Sequence, residues 1–227
     1  MNLEKYQQYS RIARGLEKAD LVLKDARIVN VFTEEIIRGD IAIQDGIIAG
    51  IGSFHGKEER DLAGRYVCPG FIDSHLHLES TLVTPAELVT AASRHGTTTF
   101  IVDPHESANV SGLAGIDYIL DQTEDVKANV YVMMPSCVPA TAIDDNGCTL
   151  TAEDMVPYLH NSRILGLGEV MDSISVVQGE KSMHDKLELF EGRIRDGHAP
   201  FLEEGDLQAY AMAGIATDHE CSFFDYA

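Results

Sequence analysis

The spacing of apolar and polar positions changes rhythm twice along the chain. Residues 1–18 carry scattered apolar side chains among charges and predict a short amphipathic helix. From Asp20 the pattern shortens. ADLVLKDARIVNVF and IIRGDIAIQDGIIAGIG are β-branched runs broken by Gly-Asp and Asp-Gly turn signals, which predicts a small β-sandwich-like domain over 19–66. Past Pro69 the rhythm becomes strand, loop, helix, repeated to the last residue.

In that second part RYVCPGFID predicts a buried strand. Thr84, Pro85 and Glu87 predict a helix start with a capping box, and Gly96 its end. TTTFIVD predicts a strand and SGLAGIDYILDQ a helix. ANVYVMMPS predicts a third strand. Thr151 with Asp154 opens a third helix that Pro157 shortens or kinks. RILGLGEV, RIRDGHAP and IATDHE complete six strands, with helices over KSMHDKLELFEG and GDLQAYAMAG between them. Such alternation implies parallel strands covered by helices. No GxGxxG follows the first strand, which disfavours a doubly wound dinucleotide-binding sheet and leaves a (β/α)8-type barrel over 67–227.

Composition narrows the function. The chain is 44% hydrophobic and 24% charged, the profile of a globular protein and not of a disordered one. Its formal net charge of −20 excludes the basic patches that nucleic acid or an anionic membrane requires. No apolar run approaches the roughly 20 residues of a membrane helix, and the polar N-terminus is no signal peptide. Cys68, Cys137, Cys148 and Cys221 form no CxxC pair and read as reduced thiols of a cytoplasmic protein.

Candidate chemistry gathers at the strand ends, where barrels carry their function. His75 and His77 stand two apart in GFIDSHLHLES. Residues at that spacing in a strand share a face, with Cα atoms roughly 6.5–7 Å apart, so two imidazoles can meet one divalent cation. Alone, an HxH pair is more often ordinary hydrogen bonding. Glu169 ends the fourth strand, His198 follows the fifth and His219 the sixth. A ligand type at each of four strand ends, doubled at the first, is hard to explain without a metal site. Glu79, His105 and Glu106 lie near the first two strand ends and suit substrate binding, proton transfer or support of a metal-binding histidine. His55, His95, His160 and His184 read as surface or structural residues.

PGFIDSHLHLES resembles the first-strand signature of the amidohydrolase superfamily. With DPHESANV, GEVMD, DGHAP and DHE in that order, the chain resembles the bacterial-type adenine deaminases from about Asp20 onward. The resemblance implies a binuclear Mn2+ or Fe2+ site. His75 and His77 would hold one ion, His198 and His219 the other, and Glu169 would bridge them. It further implies adenine and water as substrates, and is compatible with a homo-oligomer. The readings set against it are another cyclic amide or N-acetyl sugar hydrolase of the superfamily, and a non-catalytic remnant that binds metal or a partner.

The sequence departs from that pattern. A barrel of this type takes about 250 residues, and about 160 follow Pro69. The family's strand-eight aspartate has no counterpart, so the barrel is expected to be truncated after strand six, with bare strand edges and exposed apolar faces. Phe201, Glu203 and Glu204 stand where the family carries small residues.

Overall fold

A computed structural model describes residues 1–141 and 143–219. Cys221 lies outside them. The chain divides into two units, one of residues 1–69 and one from Gly70 onward.

The first unit opens with helix α1 (Leu3–Ala13), capped by the Asn2 side chain, which accepts from the Lys5 amide at 2.9 Å. The helix is shorter than its sequence pattern because Gly15, at φ +70, takes the left-handed turn that ends it. Strands β1 (Ala19–Asn30), β2 (Glu35–Gln44), β3 (Ile47–Gly52), β4 (Gly56–Asp61) and β5 (Tyr66–Val67) form one mixed sheet in the order β3-β2-β1-β4, with β5 also on β1. Ile12 of α1 packs with Ala19, Val22, Ala42 and Phe54.

The second unit carries β6 (Phe71–Leu76), α2 (Pro85–Ser93), β7 (Thr97–Val102), α3 (His105–Ser111), α4 (Leu113–Gln122), β8 (Asn129–Pro135), α5 (Ala152–Met155), β9 (Ile164–Val170), α6 (Ser173–Gln178), α7 (Lys181–Leu189), β10 (Ile194–Gly197), α8 (Glu204–Met212) and β11 (Thr217–Asp218). The six strands are parallel and lie in sequence order, β6 to β11. A doubly wound sheet reverses its order at a switch point; a (β/α)8 barrel does not. The observed order is that of the barrel. Helices close over the sheet around a core that includes Phe100, Ile116, Met134, Leu167 and Phe190, each essentially removed from water and worth about 1.5–3 kcal/mol of burial.

Several local expectations are corrected. RYVCPGFID is not one buried strand. Pro69, which cannot donate to a ladder, separates β5 from β6, and Phe71 and Ile72 on the edge strand β6 are exposed. Thr84 makes no side-chain cap, so no capping box forms with Glu87, although Pro85 holds the first turn. That helix stops at Ser93, three residues before Gly96. The capping box that does form joins Thr151 and Asp154, and the turn then tightens to 3-10 geometry from Val156 through Pro157. The helix expected over 111–122 forms as α4, starting after Gly112 with φ +62 and ψ −139, and it is preceded by a further short helix, α3, that the pattern did not predict. Helix α6, capped by Asp172, was not legible in the pattern. No helix among the described residues is long and apolar enough to cross a membrane.

Candidate metal centre

Each chemically loaded side chain leaves the sheet at the C-terminal end of a strand. His75 is the penultimate residue of β6 and His77 comes just after it, Glu169 is the penultimate residue of β9, His198 follows β10 and His219 follows β11. The five meet. His75 Nε2 lies 3.2 Å from His77 Nε2. His77 Nε2 is 3.3 Å from Glu169 Oε2. The other carboxylate oxygen, Oε1, is 3.1 Å from His198 Nδ1 and 3.3 Å from His219 Nε2. The rings of His75 and His219 stack with centroids 3.7 Å apart.

Glu169 is the hinge of this arrangement. Its φ of +28 is unusual for a residue with a side chain, and such strain persists only where surrounding structure holds it. Ser136 Oγ donates to its carbonyl at 2.9 Å, and the Met171 amide at 2.7 Å. Gly168 before it is required. A Cβ there would collide with the Asp103 carboxylate and stand 2.8 Å from Met133 Cβ.

Electrostatics is set by desolvated carboxylates among imidazoles. The Glu106 carboxylate, 3.3 Å from His77 Nδ1, and then Glu169 push the His77 imidazolium up to about 11. The same His77 contact holds Glu106 down to about 2. Burial pushes Glu169 upward, but the His77 hydrogen bond and the charges of His105, His77 and His75 outweigh it and bring the carboxyl to about 2. Asp196 raises His75 through a 3.2 Å contact with Nδ1. Burial, the largest influence, raises Glu79, whose Oε1 accepts from the Ser107 amide at 3.0 Å.

The donor set fits divalent cations. Two imidazole nitrogens 3.2 Å apart can share at most one proton, yet both carry an in-plane lone pair for a metal. His77 Nδ1 meets the Asp103 carbonyl at 2.7 Å, which leaves Nε2 as the nitrogen free to bind once its proton is displaced. Buried polar atoms are also left without hydrogen bonds: His198 Nδ1, His105 Nδ1 and both carboxylate oxygens of Asp103. His105 Nδ1 stands 2.5 Å from Asp103 Oδ1, but not along a hydrogen-bond direction. Two of the four His/Asp/Glu groupings among the described residues share Glu169 and divide the histidines between them: His75 and His77 on one side, His198 and His219 on the other.

His105 and Glu106 lie on α3 and not in a strand-end loop. With His77, Asn109, Glu169 and Met171 they line a cavity of about 630 Å3. Glu79 stands in a 3-10 turn after β6. His55 is exposed near Glu59, while His184 Nε2 meets the Val176 carbonyl at 2.9 Å, so neither joins the cluster. Sequence reasoning missed Asp103 and Asp196. Asp196 sits two residues before His198, the same alternation that paired His75 with His77, and Asp103 ends an apolar strand in DPHES.

Residues 66–227 match the family described as the amidohydrolase family. The chain is 57% identical over 227 residues to an adenine deaminase of Desulfitobacterium hafniense (strain Y51), covering 100% of this chain and 40% of that protein. It is 50% identical over 212 residues to an adenine deaminase of Clostridium acetobutylicum, covering 92% and 37%. The chain thus spans about 40% of the length of the curated relatives it matches. Among solved structures, N-acyl-D-glutamate deacylase from Bordetella bronchiseptica, complexed with zinc, superposes with a TM-score of 0.59 at 18% identity, over 88% of this chain and 51% of that one. The 5-methylcytosine deaminase from Klebsiella pneumoniae gives 0.56 at 16% identity, over 88% and 59%. At such identities these two speak for the fold alone.

Proposed function

The chain belongs to the amidohydrolase family, and from that premise we propose that it serves in hydrolytic adenine deamination, converting adenine and water to hypoxanthine and ammonia. The observation that carries the reading is Glu169. Each of its two carboxylate oxygens faces a different set of histidines, the geometry of a bridging ligand. Mn2+ or Fe2+ suits the mixed imidazole and carboxylate set, and the setting would be cytoplasmic purine salvage.

When bound, two such cations supply the Lewis acidity that makes water a nucleophile at neutral pH. His75 and His77 would hold one ion, His198 and His219 the other. A C6–O bond forms on adenine as the C6–N6 bond breaks; of the two protons of water, one leaves with the amino group as ammonia and the other ends on a ring nitrogen of hypoxanthine. Glu106, an anion at the cavity wall, is suited to accept an N–H of the purine. Glu79, whose carboxyl is raised by burial, is suited to hold a proton beside it. His105 has a different part. The Cys137 amide donates to its Nε2 at 3.4 Å, and its Nδ1 stands 2.5 Å from Asp103 Oδ1 and 3.5 Å from Glu169 Oε2 without the direction of a hydrogen bond to either. It would orient Glu169 and transfer no proton.

The test is ammonia release from adenine by the purified chain with Mn2+, beside His75→Ala. Adenine-dependent turnover that the variant loses supports the reading. Soluble, Mn2+-loaded protein without turnover would show that these residues alone do not deaminate adenine.

A further inference from the structure

Tyr210 lies on α8, the helix that follows β10, and is 2% exposed. Its hydroxyl donates to the Val170 carbonyl at 2.6 Å and accepts from the His198 amide at 3.0 Å. Val170 directly follows Glu169. One buried oxygen therefore ties the backbone beside one member of the metal cluster to the amide of another.

The register explains why this matters. β9 and β10 pair Gly197 with Val170, after an irregularity between Arg195 and Gly197. In a regular parallel ladder the next bond would run directly from the His198 amide to the Val170 carbonyl, at about 2.9 Å. The phenol takes both ends of that bond instead, so its oxygen stands between the two strand ends. Gly197 makes room for it. A Cβ there would meet the Thr217 carbonyl oxygen of β11 first, at 2.4 Å, then Ile215 Cγ2 at 2.9 Å and the hydroxyl at 3.1 Å, so the glycine serves the neighbouring strand as well as the phenol. Just beyond the inserted oxygen, His198 Nδ1 comes to 3.1 Å from Glu169 Oε1 without the direction of a hydrogen bond.

We infer that Tyr210 is a positioning residue, whose hydroxyl, inserted between β9 and β10, sets the spacing of Glu169 and His198 for a shared cation. The inference rests on the metal-centre reading for its consequence but not for its geometry, and the test separates the two. Tyr210→Phe keeps the ring and its packing and removes only the inserted oxygen. A crystal structure of the metal-free variant is expected to show the strand ends closing and the 3.1 Å contact of His198 with Glu169 lost. Unchanged spacing would overturn the inference. Mn2+ titration of the full chain then reads the consequence. The ion served by His198 and His219 is expected to weaken about 10–100-fold, the range for a partner that orients a ligand, with the ion at His75 and His77 unchanged. Equal weakening of both ions, or of neither, also overturns it. A changed spacing in a chain whose parent binds no Mn2+ sinks the metal-centre reading and leaves the positioning role standing.

Discussion

Asp40 and Asp103 are both nearly removed from water, and their surroundings treat them in opposite ways. Asp40, on β2 of the first unit, is fully answered. Its Oδ2 accepts from Lys24 Nζ at 2.5 Å and from the Phe54 amide at 3.2 Å, and its Oδ1 from the Asp25 amide at 3.1 Å. Lys24 spends a second proton on the Phe54 carbonyl at 2.9 Å. Asp103, after β7 in the second unit, has no hydrogen bond on either oxygen; its Oδ1 stands 2.5 Å from His105 Nδ1, and it is grouped with His105 and Glu169. A closed network of charges specifies a fold; an open one costs desolvation without return until something binds. The contrast separates the part of the chain built to hold from the part built to bind.

Glu169→Ala should break the binding side hardest. Because three of the four His/Asp/Glu groupings among the described residues use Glu169, Mn2+ affinity is expected to fall by more than about 100-fold, beyond the loss caused by removing an orienting partner. Folding stability should stay within about 1 kcal/mol of the parent or rise, since a desolvated charge has been deleted. Calorimetric titration and urea unfolding read the two effects separately, and a loss of several kcal/mol would place Glu169 with Asp40 as a structural acid. Asp40→Ala is the mirror experiment. It strands Lys24 and two amides, and should cost the first unit about 2–4 kcal/mol while leaving Mn2+ affinity unchanged. Weakened metal binding in that variant would end the separation.

The difference between the regions also governs what could be read from the sequence. His75 and His77 were legible because strand alternation puts them on one face. Glu169 was legible because it closes the apolar run ILGLG, and His198 and His219 because each follows a predicted strand. The barrel-type strand order followed from the alternation of elements. What escaped depends on neighbours distant in sequence. Asp103 looks like any polar residue closing a strand until Gly168 is seen making room for its carboxylate. Tyr210 reads as an ordinary helix residue, because the ladder bond that it interrupts belongs to two other elements. Thr84 carries the residue types of a capping box without forming one, whereas Thr151 forms it: local chemistry permits a cap, and the approach of the preceding chain decides it.

The smallest expected effect tests the holding side through pH. Burial pushes the Asp40 carboxyl up, but Lys24 and the amides of Asp25 and Phe54 outweigh it, so its folded pKa lies below the 3.8 of a free aspartate. Lys24 is raised from 10.5, chiefly by Asp40. The acid therefore contributes stability that is present above the unfolded carboxyl pKa and lost as pH falls through the lower, folded one. The lysine contribution is present below 10.5 and lost as pH rises through its raised folded value. Between about pH 5 and 10 the stability difference between the parent and Asp40→Asn should be flat; below about pH 4 it should shrink, because the parent protonates the carboxylate that the variant never had. Urea unfolding of both proteins from pH 7 to pH 3 measures that difference. A gap that stays constant to pH 3 would mean that the ionised form of Asp40 is not what the first unit uses, and that its closed network stabilises by shape and hydrogen bonding alone.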